Sequence, residues 1–336
     1  MRSAVHRTLP PWLRRWCFMC TVSWTKALLL AAAASIVLSA EPASSQYATT
    51  TTTKPNVALK TDQFDYEYVP PKNPAHMKIY TMLKDARVLE KFQEFLSPLM
   101  LPHRIKLKVE GCDGVANAYF FRGDVKVCYE YFDYIMKYAP KMEREGLSPR
   151  DAMIGPVVDV FLHEVGHVVV EELDIPFFGR EEDTADYFAS YVLLHFSKDD
   201  ARRLILGASF MGGNEAMEEQ KKAPELVFMA DTHSLPAQRY FNRWCMAYGA
   251  DPVLYADAID LGMLPKNRSG ICSYEYKTNE FAFKTLVAPY IDQTLKEKVM
   301  AKHWFTFESP VAATRMSKPP PSTPASTEKE VPKALR

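Results

Sequence analysis

Several absences narrow the reading of this chain before any motif is considered. Its 41 basic and 41 acidic side chains cancel, and the cancellation is uneven. Residues 1–40 hold Arg2, Arg7, Arg14, Arg15 and Lys26 without a single acid, so the rest of the chain sets 36 basic residues against 41 acidic ones, a net of −5. A body without basic excess excludes general nucleic-acid binding, which needs a basic face. No apolar run reaches the roughly 20 residues of a comfortable membrane span. No internal repeat is present, which excludes a stacked-repeat architecture. Cysteine is sparse, six in 336 residues, so disulfides do not stand in for a core. At 47% hydrophobic and 24% charged residues, the chain has the composition of an ordinary globular protein with a sizeable core.

The basic N-terminus runs into "ALLLAAAASIVLSA", residues 27–40. A positive flank, a short apolar run and small residues form a secretory signal, with Ala40 or Ser45 as the last residue removed. Residues 1–45 are therefore expected to direct export to the periplasm or the exterior. The alternative is an uncleaved anchor in which residues 22–40 hold the protein to a membrane. Cys17 and Cys20 fall in this segment, and their C-x-x-C spacing has no sheet-like context. The other four, Cys112, Cys128, Cys245 and Cys272, are an even number suited to an oxidising compartment. Three pairings are possible, and the most local one, Cys112–Cys128 with Cys245–Cys272, is expected.

Residues 46–75 read as a polar linker, 76–297 as the folded domain and 298–336 as a disordered tail rich in proline, serine and lysine. Ordered structure is expected to begin near "FDYEYVPP". A helix is expected at 80–96, a half-buried strand at 104–110, and a hairpin turning at Arg122-Gly123. A further helix is expected at 131–144. "SPRD" at 148–151 supplies a turn and a helix cap, and Pro156 is expected in the first turn of the helix that follows, where a missing N–H costs least.

That helix carries "VVDVFLHEVGHVVVEEL", residues 157–173. His163 and His167 are one turn apart and project from one face, so both imidazoles can reach a single metal ion. Two neutral imidazoles and a carboxylate suit Zn2+, with a fourth position left for water. Glu164 lies where it can take a proton from that water. Burying three polar groups in a valine-rich turn without strong partners would cost several kcal/mol, and a metal removes that cost. Gly166 costs about 1 kcal/mol against alanine inside a helix, which implies close approach of another element. The third ligand should be a nearby carboxylate. Glu182 and Asp186 stand at i and i+4 of the next helix, so Glu182 can complete the site while Asp186 receives a histidine N–H. Glu181 and Asp183 compete for the ligand role. His195, His76, His103 and His303 have no motif around them.

H-E-x-x-H followed by E-x-x-x-D on the next helix resembles the gluzincin metallopeptidases, the thermolysin-like branch of the zincins. The interval from His167 to Glu182 is shorter than in thermolysin, so the connection must differ. "NAYF" at 117–120 resembles the zincin edge strand that pairs with extended substrate. "HEVGHVVVEELDIPFFGREEDTADYFA", "NAYFFRGDVKVCYE", "HSLPAQRYFNRWCMAYGADP" and "LPKNRSGICSYEY" together look like a family of bacterial exported metallopeptidases catalogued as a domain of unknown function, over about residues 80–290. The resemblance implies an α+β, zincin-like fold with a small antiparallel or mixed sheet, two active-site helices at 153–173 and 182–197, and a mostly helical C-terminal half. It implies one zinc on His163, His167 and Glu182, with Glu164 as base and Asp186 behind a ligand. It implies a peptide or protein substrate, paired by the backbone of Asn117 and Ala118, with His233 and Arg239 as candidate donors to the oxyanion. An exported metal-binding or scaffold protein without peptidase turnover is the alternative.

Overall fold

A computed structural model describes residues 57–221 and 229–308. The signal or anchor segment, the first part of the linker and the tail beyond 308 lie outside the described residues.

The fold is α+β, as expected: a four-stranded mixed sheet and a larger helical assembly. β1 (Phe64–Tyr68), β2 (Ile105–Glu110), β3 (Ala118–Phe121) and β4 (Asp124–Cys128) take the order β1-β2-β4-β3. β1 and β4 each pair parallel with β2, and β3 pairs antiparallel with β4. The period-two pattern of β2 explains its placement. Ile105, Leu107 and Val109 are fully buried, whereas Lys106 and Lys108 reach across the other face to Glu67 and Asp124. Arg122 and Gly123 both have positive φ, 51° and 81°, the requirement of a tight two-residue hairpin turn. That turn leaves β3 on the edge of the sheet.

The helices are α1 (Met77–Asp85), α2 (Val88–Leu96), α3 (Tyr129–Tyr138), α4 (Pro149–Leu173), α5 (Glu181–Leu193), α6 (Lys198–Gln220), α7 (Pro236–Ala250), α8 (Asp257–Asp260), α9 (Lys266–Leu286) and α10 (Gln293–Met300). Where periodicity predicts one helix at 80–96, the chain breaks into α1 and α2 at Arg87, which has φ 52°. The helix expected at 131–144 is α3 followed by a 3-10 stretch at Ala139–Glu145. β1 forms at "FDYEYVPP", where ordered structure is expected to begin, with Phe64 buried. Residues 301–308 return to α4, where the Glu308 N–H donates to both carboxylate oxygens of Asp151 at 3.0 Å.

α4 packs against α5, α6 and the β3–β4 side of the sheet. Ser148 caps it, accepting from the Asp151 N–H at 3.1 Å, so the helix starts at Pro149 and Pro156 lies in its interior rather than its first turn. Pro156 therefore leaves one carbonyl without its helical partner. Phe161, Leu162, Val165, Val168 and Val169 are buried on it. By length and composition α4 could cross a membrane, but most of it is covered by the rest of the protein. At Gly166 an added Cβ would lie 2.8 Å from Ala185 Cα, so the missing side chain is what lets α5 pack this closely. The expected disulfides are both present. Cys112–Cys128 pins the approach to β3 against the end of β4, and Cys245–Cys272 joins α7 to α9.

Candidate metal centre

Close packing of α5 on α4 brings the first turn of α5 beside the two histidines. The Nε2 atoms of His163 and His167 are 3.3 Å apart. Glu182 Oε2 lies 3.1 Å from the first and 3.3 Å from the second. A tetrahedral ion with bonds of about 2.0–2.1 Å has ligand–ligand edges of about 3.3 Å, so the spacing and chemistry of the three donors fit zinc. His163, His167 and Glu182 are the residues that could hold it.

The opposite ring nitrogens are fixed by carboxylates. His163 Nδ1 is 2.9 Å from Asp186 Oδ1, and His167 Nδ1 is 2.7 Å from Glu181 Oε1. Each Nδ1 then carries a proton and donates it, so that in the neutral form of each ring it is the Nε2 lone pair that is left to bind a metal. Asp186 is itself clamped by Arg239, whose Nε and Nη2 each donate to it at 2.6 Å. Arg239, expected as a donor to the oxyanion, lines the cleft, and its forked donors hold the carboxylate behind His163.

The charges reinforce one another. Burial opposes a proton on His163, but Asp186 and Glu182 outweigh it and push the pKa up to about 9. Burial likewise opposes charge on Asp186, yet Arg239 and His163 hold it well below the carboxylate range. Glu182 is lowered too, since hydrogen bonds from His163, His167 and His233 overcome its burial. The cluster attracts a positive charge. Glu164 behaves differently: burial, with Glu182 nearby, pushes its carboxyl up against the opposing pull of His163, His167 and the Phe120 N–H.

A cleft of about 610 Å³ opens over these groups, with Glu164 and the β3 edge on its walls. The Cys128 N–H donates to the Asn117 carbonyl at 3.0 Å. Backbone groups alternate in direction along an antiparallel strand, so Asn117 and Tyr119 face β4 while Ala118 and Phe120 face the open edge. Of the two residues expected to pair with substrate, Ala118 alone presents its backbone, and Phe120 joins it. His233 sits at the mouth, its Nε2 2.9 Å from Glu182 Oε2. Arg180 anchors its loop by donating to the His233 carbonyl at 3.1 Å and to Ser234 Oγ at 2.7 Å. Four other histidines lie away from the cleft. His76 pairs with Asp133, His103 pairs with Glu172, His195 bonds the Tyr191 carbonyl, and His303 has no assigned role.

Sequence reasoning missed the roles of Glu181 and Arg239, and a second wall made by Asp159, Glu215 and Arg243. Asp159 is one turn before His163, a spacing that marks the same helix face.

Fold and site together define an α+β protein in which two histidines and one carboxylate form a candidate metal centre in an open cleft. Residues 68–287 match the family described as "Putative metallopeptidase", and the chain belongs to that family. No curated protein and no solved structure matches it.

Proposed function

We propose that this protein is an exported, zinc-dependent peptidase with a zincin-like domain. The observation that carries the reading is the convergence of His163 Nε2, His167 Nε2 and Glu182 Oε2 within 3.1–3.3 Å of one another, with Glu164 beside them in the same cleft. Zinc bound there supplies a Lewis acid that polarises the scissile carbonyl and makes water more acidic. Glu164 accepts the water proton, helped by a carboxyl that burial has made more basic, and then delivers it to the departing amine. Extended substrate adds to the sheet through the outward backbone groups of Ala118 and the carbonyl of Phe120, whose N–H faces Glu164. His233, which reaches Glu182 through Nε2, is the candidate N–H donor to the developing oxyanion, and Asp186 with Arg239 keeps His163 in register. Two disulfides support export to an oxidising compartment.

The test compares the wild type with Glu164→Gln on a mixed peptide library after both have been assayed for zinc. Equal zinc in the two, with cleavage by the wild type alone, supports the proposal. Zinc without cleavage in either would indicate a metal-binding protein without turnover.

A further inference from the structure

The cleft wall beyond the metal centre has an unbalanced charge. One turn before His163, about 6 Å along the axis of α4, Asp159 lines the cavity together with Ala208, Met211, Gly212 and Glu215, which recur at helical spacing on α6. Two cations act on this wall, and each already has its anion. Arg239 forms the double contact with Asp186. Arg243 donates to Asp159 Oδ2 at 2.6 Å and to the Ala208 carbonyl at 3.2 Å. Glu215 is left over. Among the described residues no hydrogen bond or ion pair reaches its carboxylate, although it is half-buried and lines the cleft. Burial pushes its carboxyl up against the pull of both arginines. Asp159 Oδ1 is also buried without a partner, so the local field is more negative still.

A desolvated carboxylate without a partner is costly unless a ligand supplies the charge. We infer that Glu215 is a specificity-determining residue that receives a positively charged group of the peptide, either an ammonium or guanidinium side chain or a free N-terminal amine. This rests on the peptidase reading above. A cationic group seated here shares one cleft with His163, His167 and Glu182, and belongs to a residue near the scissile bond.

The test reads cleavage sites by mass spectrometry after the zinc-loaded protein digests a mixed peptide library, offered with free and with acetylated N-termini. The wild type should favour lysine or arginine at one fixed position, or free N-termini, by at least about tenfold. Glu215→Gln, nearly isosteric, should lose that preference while zinc content and circular dichroism stay unchanged, and Glu215→Asp should keep part of it. Loss of preference for side chains or for free termini identifies the source of the charge. Cleavage by the wild type without any cationic preference, or a preference that survives Glu215→Gln, overturns the inference and leaves the peptidase reading intact. If the wild type cleaves nothing, calorimetric binding of lysine-containing peptides and their norleucine counterparts still decides. Tighter binding of the lysine peptides in the wild type, lost in Glu215→Gln, upholds the inference, and equal binding overturns it.

Discussion

His163 and His167 sit one turn apart on the same helix, yet they are held in different ways. The Nδ1 partner of His163 is Asp186, whose side chain is 16% exposed and gripped by Arg239. The partner of His167 is Glu181, whose side chain is 41% exposed and stands in the first turn of α5. One ring is locked by a desolvated ion pair and the other is steadied by a solvated carboxylate. Electrostatic support in the low-dielectric interior is stronger and less screened than at the surface. The two histidines should therefore respond unequally when their supports are removed.

The largest effect should come from the shared ligand. Glu182→Ala should reduce bound zinc from about one per chain to nearly none while circular dichroism remains native, because two imidazoles alone make an incomplete site. Normal zinc content would remove Glu182 from the ligand set. Next comes the clamp. Arg239→Met leaves Asp186 without its cation, and breaking a buried pair from one side should lower stability by about 3 kcal/mol, read by denaturant titration. Asp186→Asn should weaken zinc affinity by about 10–100-fold in a chelator competition. The smallest effect belongs to Glu181→Gln, about two- to fivefold in the same assay, as for an exposed pair. Equal losses in these last two variants would erase the distinction between the histidines.

Acidity sharpens the same contrast. In the metal-free protein the His163 pKa is raised to about 9 from an ordinary 6.5. A group raised on folding contributes stability fully below its unfolded pKa and loses it as the pH climbs through the folded value. The Tm of metal-free protein should therefore fall between about pH 6.5 and 9. Zinc requires the unprotonated ring, so its affinity should rise across the same interval. A Tm that rises instead would contradict the protonated pairing of His163 with Asp186 and Glu182.

The part of the site that follows helical periodicity was legible in the sequence. Spacing alone placed His163 and His167 on one face and Glu182 with Asp186 on another, and Gly166 announced the close approach that joins them. The Arg122-Gly123 turn and the local disulfides were legible for the same reason, since each is a short-range constraint. What escaped depends on tertiary distance. Arg239 meets a partner 53 residues away on another helix, and Glu215 is isolated only because Asp159 and Asp186 occupy both neighbouring arginines. The orientation of Asn117 depends on which of its backbone groups face β4, and the break at Arg87 on a left-handed conformation that a non-glycine residue rarely adopts.

The most direct test of the metal centre is elemental mass spectrometry of the purified protein without added metal. The arrangement of His163, His167 and Glu182 predicts about one zinc per chain, as expected of a single three-ligand site. A chain that holds no zinc, even after reconstitution, would contradict it and leave α4 as a core helix whose histidines merely pair with the acids of α5.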